Sequence, residues 1–201
     1  MDIVSDSVNK LEEIIHHSGC EEGSVHLDVN PDVKFCRYER GACMTATFGG
    51  RSAEFMTDDP IRAMTKISFM FGAPLDTPAK RGAACAIINV GTGFFCLSRV
   101  LHSCLPSVHG SCREQLMSEI ASKKVCCIGA IPDIEADLGG HLTTDPGAAD
   151  VILINGDGLI KEGSGNIVES YKDTKRIVCL GPSTAGIARL QHLEHWCPFG
   201  T

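Results

Sequence analysis

The sequence has no surplus of positive charge. Its 18 Lys and Arg are outnumbered by 25 Asp and Glu, for a net charge of -7. A general nucleic-acid coat is therefore excluded, while a local basic pocket is not. No long apolar run opens the chain: MDIVSDSVNK carries acid early, which argues against a secretory leader. The longest uncharged stretch, residues 82–98, is short, glycine-containing and interrupted by Asn89. It predicts a buried helix rather than a membrane span. There is no internal repeat, no low-complexity segment and no Gly-x-Ser-x-Gly elbow. The full dinucleotide fingerprint and the phosphate loop with its Lys-Ser/Thr pair are missing too, so nicotinamide and ATP cofactors have little support.

What is present is a chain of 201 residues, 43% hydrophobic and 21% charged, able to bury a core without staples. Its 11 cysteines are the unusual count. An odd number at irregular spacing in a chain this large does not resemble a secreted disulfide scaffold. The expectation is a cytoplasmic protein with reduced thiols, a cysteine load that an anaerobic host tolerates more easily. A homo-oligomer is left open.

The pattern of elements changes near residue 120. Residues 5–18 predict a helix capped by Ser5 or Asp6. Between residues 24 and 57, alternating stretches separated by Glu39-Arg40-Gly41 and Gly49-Gly50-Arg51 predict an antiparallel meander, with Val33-Lys34-Phe35-Cys36 as one of its strands. Asp58 or Asp59 with Pro60 predicts a helix to about Phe71, and Thr77-Pro78 opens the small-residue helix. Beyond residue 120 come three apolar strands, at Lys124 to Ile128, Ala149 to Ile154 and Arg176 to Leu180. Helices are expected between them, with a last helix to about Leu193. That alternation predicts a parallel sheet. The fold class is thus α/β: a small Rossmann-like parallel sheet preceded by an α+β module with an antiparallel meander. The expected parts are 1–120 and 121–201.

Each predicted parallel strand ends in a small or polar loop. These are Gly129 to Pro132, Asn155-Gly156-Asp157-Gly158, and Gly181-Pro182-Ser183-Thr184. In a parallel sheet the three loops share one edge, and ligands bind outside that carboxyl edge. The candidate binding residues are Gly129, Pro132, Asn155, Asp157, Gly181, Ser183 and Thr184. Amides at Ser183 and Thr184 would receive an anion, and Asn155 and Asp157 would hold hydroxyls, an amine or a metal. Turns and helix caps explain the same residues. The ligand expected is a small anionic or nucleoside-like molecule. A second constellation offers a transition-metal site: Cys104, His109 and Cys112, with Cys96 and His102 nearby. The interval of eight between Cys96, Cys104 and Cys112 also suits small apolar residues on one helix face. His192, His195 and Cys197 could form a further metal-binding arm or a loosely packed tail. No catalytic residue is assigned, and whether the chain is an enzyme is left open.

The stretches KVCCIGAIPDI, ADVILINGDGLI and RIVCLGPSTAG resemble the C-terminal half of a family named for heavy-metal chelation, whose function is unknown. The family's Gly-x-x-Pro-like loop would be Gly129 with Pro132, its Ala-Asp strand start Ala149-Asp150, and its Gly-Pro-Ser-Thr loop Gly181 to Thr184. KRGAACAIINV is similar to the helix before the family's Rossmann-like domain. Asn155-Gly156-Asp157-Gly158 departs from the family's threonine-containing segment. The resemblance spans residues 35 to 195. It implies an enolase-N-terminal-like module ahead of the Rossmann-like domain, with a ligand site between them.

Overall fold

The computed structural model describes residues 2–33 and 36–201. Lys34 and Phe35, which fall within an expected strand, lie outside the described residues. The chain opens with helix α1 (Ile3–Ile15), followed by strands β1 (Ser24–Asn30), β2 (Ala42–Phe48), β3 (Arg51–Thr57) and β4 (Ala63–Lys66). These form an antiparallel sheet in the order β3-β2-β1-β4. Helices α2 (Pro78–Phe94) and α3 (His109–Ile120) come next. The remainder is β5 (Val125–Ile128), α4 (Pro132–Leu138), β6 (Val151–Ile154), α5 (Gly156–Ile160), α6 (Ser164–Tyr171), β7 (Arg176–Leu180), α7 (Ala185–Leu190) and β8 (Glu194–Trp196). Strands β5-β6-β7-β8 form a separate, wholly parallel sheet in that order. The architecture is mixed α/β with a Rossmann-like half. Among the described residues, no helix is long and apolar enough to cross a membrane.

Helix α2 explains how the two sheets are joined. Thr77 caps it, Pro78 fits its first turn, and every residue from Gly82 to Gly93 is buried. A helix buried all round cannot lie on a surface. One side meets the apolar face of the antiparallel sheet, through Val25, Leu27, Met44, Ala46, Phe48, Ala53 and Phe55. Other sides meet α1 and α7, and the same core takes in the Ile152, Ile154 and Ile177 face of the parallel sheet. Fully burying side chains such as Ile87 and Ile88 stabilises by roughly 1.5–3 kcal/mol each. The opposite face of the parallel sheet, with Val125, Leu153, Val178 and Leu180, packs in a second core with Cys112, Leu116 and Ile120 of α3 and Ile134 and Leu138 of α4. Strand alternation thus sends successive side chains to two different cores. Both cores include residues from either side of position 120.

Three elements differ from expectation. The N-cap of α1 is Asp2, whose Oδ2 accepts from the Ser5 amide at 3.1 Å, so the helix starts earlier than Ser5 or Asp6 implies. The expected helix from Pro60 to Phe71 is instead β4 and one 3-10 turn, Ile67–Met70. The open edge of β1 decides this: Ala63–Lys66 pairs with it in register with Leu27 to Ser24. Pairing the backbone groups of that edge outweighs a weak local helix signal. The last helix ends at Leu190, and residues expected as a loose tail form β8 beside β7.

Candidate functional site

The three loops do converge at the carboxyl edge of the parallel sheet, and the N-terminal half of the chain meets them there. Asn155 is fully buried and caps α5, its Oδ1 accepting from the Gly158 amide at 2.9 Å. Its Nδ2 donates to the carbonyls of Tyr38 (2.8 Å) and Ala130 (3.0 Å). Gly129 has φ +96°, and a Cβ there would lie 1.9 Å from Asn155 Oδ1, so the close loop approach requires glycine. Asp157 accepts weakly from the Ala130 amide at 3.4 Å and pairs with Lys161 at 3.1 Å. Pro132 occupies the first turn of α4.

The loop after β7 is equally committed. Thr184 is fully buried and its hydroxyl donates to the carbonyls of Leu180 and Gly181, at 3.1 and 3.0 Å. Ser183, also fully buried, accepts on Oγ from the Met56 amide of β3 at 2.9 Å. Its own amide donates to Glu39 Oε1 at 2.9 Å. A carboxyl from the N-terminal half therefore stands where an anionic ligand was expected. Gly181 (φ +79°) makes room for it, since a Cβ there would lie 2.7 Å from Glu39 Oε1.

Glu39 was expected in a turn between strands, and it is 4% exposed. Its Oε1 is satisfied by Ser183, but Oε2 is buried and has no hydrogen-bond partner among the described residues. Burial pushes its carboxyl up to about 8, against the lowering effect of the Ser183 hydrogen bonds and with a further push from Glu54. At neutral pH the group is therefore mostly the neutral acid, able to donate a proton from Oε2.

Cys36 and Cys197 lie near enough to Glu39 to feel its charge, and Cys104 and Cys112, from two further segments, lie near those thiols. The Cys36 thiol is raised by burial first and then by Glu39, Cys197 and Cys104. Cys197 is pushed up to about 12 by burial, with Glu39, Cys104 and Cys112 adding to it. Cys104 is raised by burial and by Cys112. These mutual effects place the four thiols in one neighbourhood. Tyr38 Oη and Cys112 Sγ are hydrogen-bonded at 3.4 Å. Glu54, also buried, closes another side; its Oε2 accepts from the Ser103 amide and hydroxyl, both at 2.8 Å. Its Oε1 lies 3.5 Å from His102 Nδ1.

Of the sequence candidates for metal, Cys104 and Cys112 therefore belong to one cluster. His109 precedes Cys112 by three residues on α3, and its Nε2 is buried without a partner among the described residues. Cys96 is exposed at the end of α2. From the C-terminal arm, Cys197 joins the cluster, whereas His195 Nε2 contacts the Gly181 carbonyl at 2.9 Å and His192 is exposed. Among the described residues, no group of three or more His, Cys, Asp or Glu side chains is arranged so that it could hold a metal ion.

No protein-family model and no curated protein matches the chain. Its fold is similar to that of a DUF364-family protein of unknown function from Pyrococcus horikoshii. The TM-score is 0.51 at 14% identity, over 90% of this chain and 79% of the other. A DUF364-family protein of unknown function from Desulfitobacterium hafniense DCB-2 aligns over 94% of this chain and 81% of its own, with 16% identity and a TM-score of 0.49. At 14% identity the Pyrococcus likeness establishes the Rossmann-like α/β fold and nothing about a ligand.

Sequence reasoning missed Glu39, Cys36 and Glu54 as site members. Glu39-Arg40-Gly41 has the composition of a surface turn, and Cys36 sits among strand-like residues. The one legible signal was indirect. Three small-residue loops on one sheet edge need something to cover them, and a preceding module of the same chain is the nearest supply.

Proposed function

We propose that this protein binds a soft transition-metal ion between its two sheets, using Cys104, His109 and Cys112 with Cys36 and Cys197 beside them. The observation that carries this reading is a pair of buried polar atoms without partners among the described residues, Glu39 Oε2 and His109 Nε2, with the Cys36 and Cys197 thiols near enough to Glu39 to feel its charge. Buried polar atoms are normally satisfied, so the orphans call for a partner, and the soft character of that partner follows from the thiols near them. The donor set fits: thiols and imidazole suit zinc, copper(I) or iron, and all would bind as deprotonated or neutral ligands. Burial raises the Cys36, Cys104 and Cys197 thiols, so the resting arrangement at those three is that of the protonated site. Metal uptake would release protons and turn the thiolates inward. Such a metal would supply a fixed positive charge to offset thiolates that the buried site otherwise disfavours.

The same inventory weighs against a small anionic or nucleoside-like ligand at the carboxyl edge. The Ser183 amide is occupied by Glu39, and Glu54 and four thiols stand near. An incoming anion would have to displace a carboxyl and enter a neighbourhood of further acids.

The test is titration of oxygen-free, metal-free protein with cobalt(II). Stoichiometric binding with strong thiolate-to-metal charge-transfer absorption is expected, abolished in the Cys104→Ser/Cys112→Ser double variant and retained in Cys96→Ser. Absence of bound cobalt and zinc, or an unaltered spectrum in the double variant, would refute the reading.

A further inference from the structure

The thiol cluster is covered by two short segments that pair with each other. The inner segment, residues 100–104, is fixed to β3: the Glu54 amide donates to the Leu101 carbonyl at 2.8 Å, and the Glu54 carboxylate holds Ser103 through two bonds. The outer segment, residues 197–201, follows β8. It folds back through a turn closed by the Gly200 amide on the Cys197 carbonyl at 3.2 Å. Thr201 then clasps the inner segment. Its carbonyl accepts from the Leu101 and His102 amides at 2.7 and 2.6 Å, and its amide donates to the His102 carbonyl at 3.1 Å.

The seam between the segments is an open cleft of about 320 Å³, lined by Ser103, Cys104, Leu105, Val108, Phe199 and Thr201. Cys104 is only 7% exposed, yet it lies on this cleft, and Leu105 at the rim is 74% exposed. Cys197 is on the covering segment itself. The inner segment is anchored through a buried carboxylate, whereas the outer one is held by three backbone bonds and by Phe199 against the core that contains Cys36 and Cys112. Opening free energies are lowest where few contacts must break. The outer segment therefore has the fewer contacts to break.

We propose that residues 197–201 form a strap whose unpairing from residues 101 and 102 admits solutes to Cys104 and Cys197 through the seam beside Leu105 and Phe199. This deepens the metal reading, because it names the route by which an ion reaches the thiols, but the strap can be tested on metal-free protein. Gly200 supplies the means. A Cβ at that position would lie 2.6 Å from Cys197 Sγ and 2.6 Å from Val100 Cγ1. Gly200→Ala thus forces the Cys197 and Val100 side chains to shift before the strap can close, while it touches neither buried sheet.

The measurement is site-resolved alkylation by N-ethylmaleimide, followed by mass spectrometry, on wild type, Gly200→Ala and Phe199→Ala. Fully buried Cys85 and Cys179 report global opening, and exposed Cys96 reports reagent reactivity. The variants should raise the rates at Cys104 and Cys197 by roughly tenfold, the effect of losing one to two backbone hydrogen bonds. Rates at Cys85, Cys179 and Cys96 should stay as in wild type. Unchanged rates at Cys104 and Cys197 in both variants would overturn the strap, and so would a rise shared with Cys85 and Cys179. Failure of cobalt titration would leave these rates as they are, so the two readings fail separately.

Discussion

Replacing Asn89 with Ala should remove a four-contact buried polar link between the two sheets. Asn89 is fully buried in α2. Its Nδ2 donates to the carbonyls of Ser183 (3.0 Å), Pro182 (3.3 Å) and Glu54 (3.3 Å), and its Oδ1 accepts from the Gly186 amide at 2.9 Å. Truncation strands the Gly186 donor near the start of α7 and deprives the three carbonyls of this donor. One buried orphan costs about 1–3 kcal/mol, so with partial sharing of the weaker bonds the loss should be about 2–5 kcal/mol. In a chain of this size that corresponds to a fall in Tm of roughly 5–15 °C. Urea unfolding followed by far-ultraviolet circular dichroism and by Trp196 fluorescence reads the free energy, and a thermal scan reads Tm. The two probes should remain coincident in wild type, because α2 belongs to both sheets' packing, and should separate in Asn89→Ala if the polar link supplies the coupling. A loss below about 1 kcal/mol would refute the claim that these four contacts hold the halves together.

Glu39→Gln should flatten the pH dependence of stability. The folded carboxyl is raised to about 8, above the unfolded value of roughly 4.3. Its contribution is therefore complete below the unfolded value and is lost as pH rises through about 8. Relative to wild type the variant should gain stability between these limits, by on the order of 1.4 kcal/mol for each pH unit crossed. Denaturant midpoints from about pH 5 to 9 that run parallel for the two proteins would contradict this. Arg81→Met should cost about 1–3 kcal/mol, since its guanidinium, 12% exposed, holds the Ile160 and Leu159 carbonyls and Asp2; chemical denaturation measures it. Separate expression of residues 1–120 and 121–201 should give fragments that do not fold cooperatively alone, as hydrogen exchange would report, because α3 and α2 cover opposite faces of the parallel sheet.

Strands β5, β6 and β7 of the parallel sheet were legible because they are apolar and each ends in a glycine-containing loop, a pattern with few alternatives; β8, with Glu194-His195-Trp196, was not. Helix α2 was legible for a related reason: a run of small uncharged residues opened by Thr77-Pro78 suits only a helix packed on several sides. Strand β4 was not legible. Nothing in Ala63–Lys66 favours a strand locally, and its conformation is imposed by the free edge of β1, far earlier in the chain. Helix α3 carries its core contacts on Cys112, Leu116 and Ile120 alone, too thin a stripe to stand out beside Pro106. The cysteines divided in the same way. Cys126 and Cys179 are buried in strands as their apolar surroundings imply, while Cys36 and Cys197 join Cys104 and Cys112 only through long-range packing.

Glu39 ties these observations together. A parallel sheet ends in amides that attract negative charge, and a chain can satisfy them from within. Here one carboxyl oxygen does so for Ser183, and this commits the other oxygen to a dry interior. An ionised carboxylate in that position would be costly, so the group is kept neutral, and its neighbours are thiols that burial also keeps neutral. On the proposed metal reading the cluster is a store of exchangeable protons. A chemistry that exploits it must bring positive charge and displace those protons, and a metal ion that prefers sulfur meets both conditions. An anion meets neither, which is why the choice between the two ligand classes rests on one glutamate rather than on the loops that first drew attention.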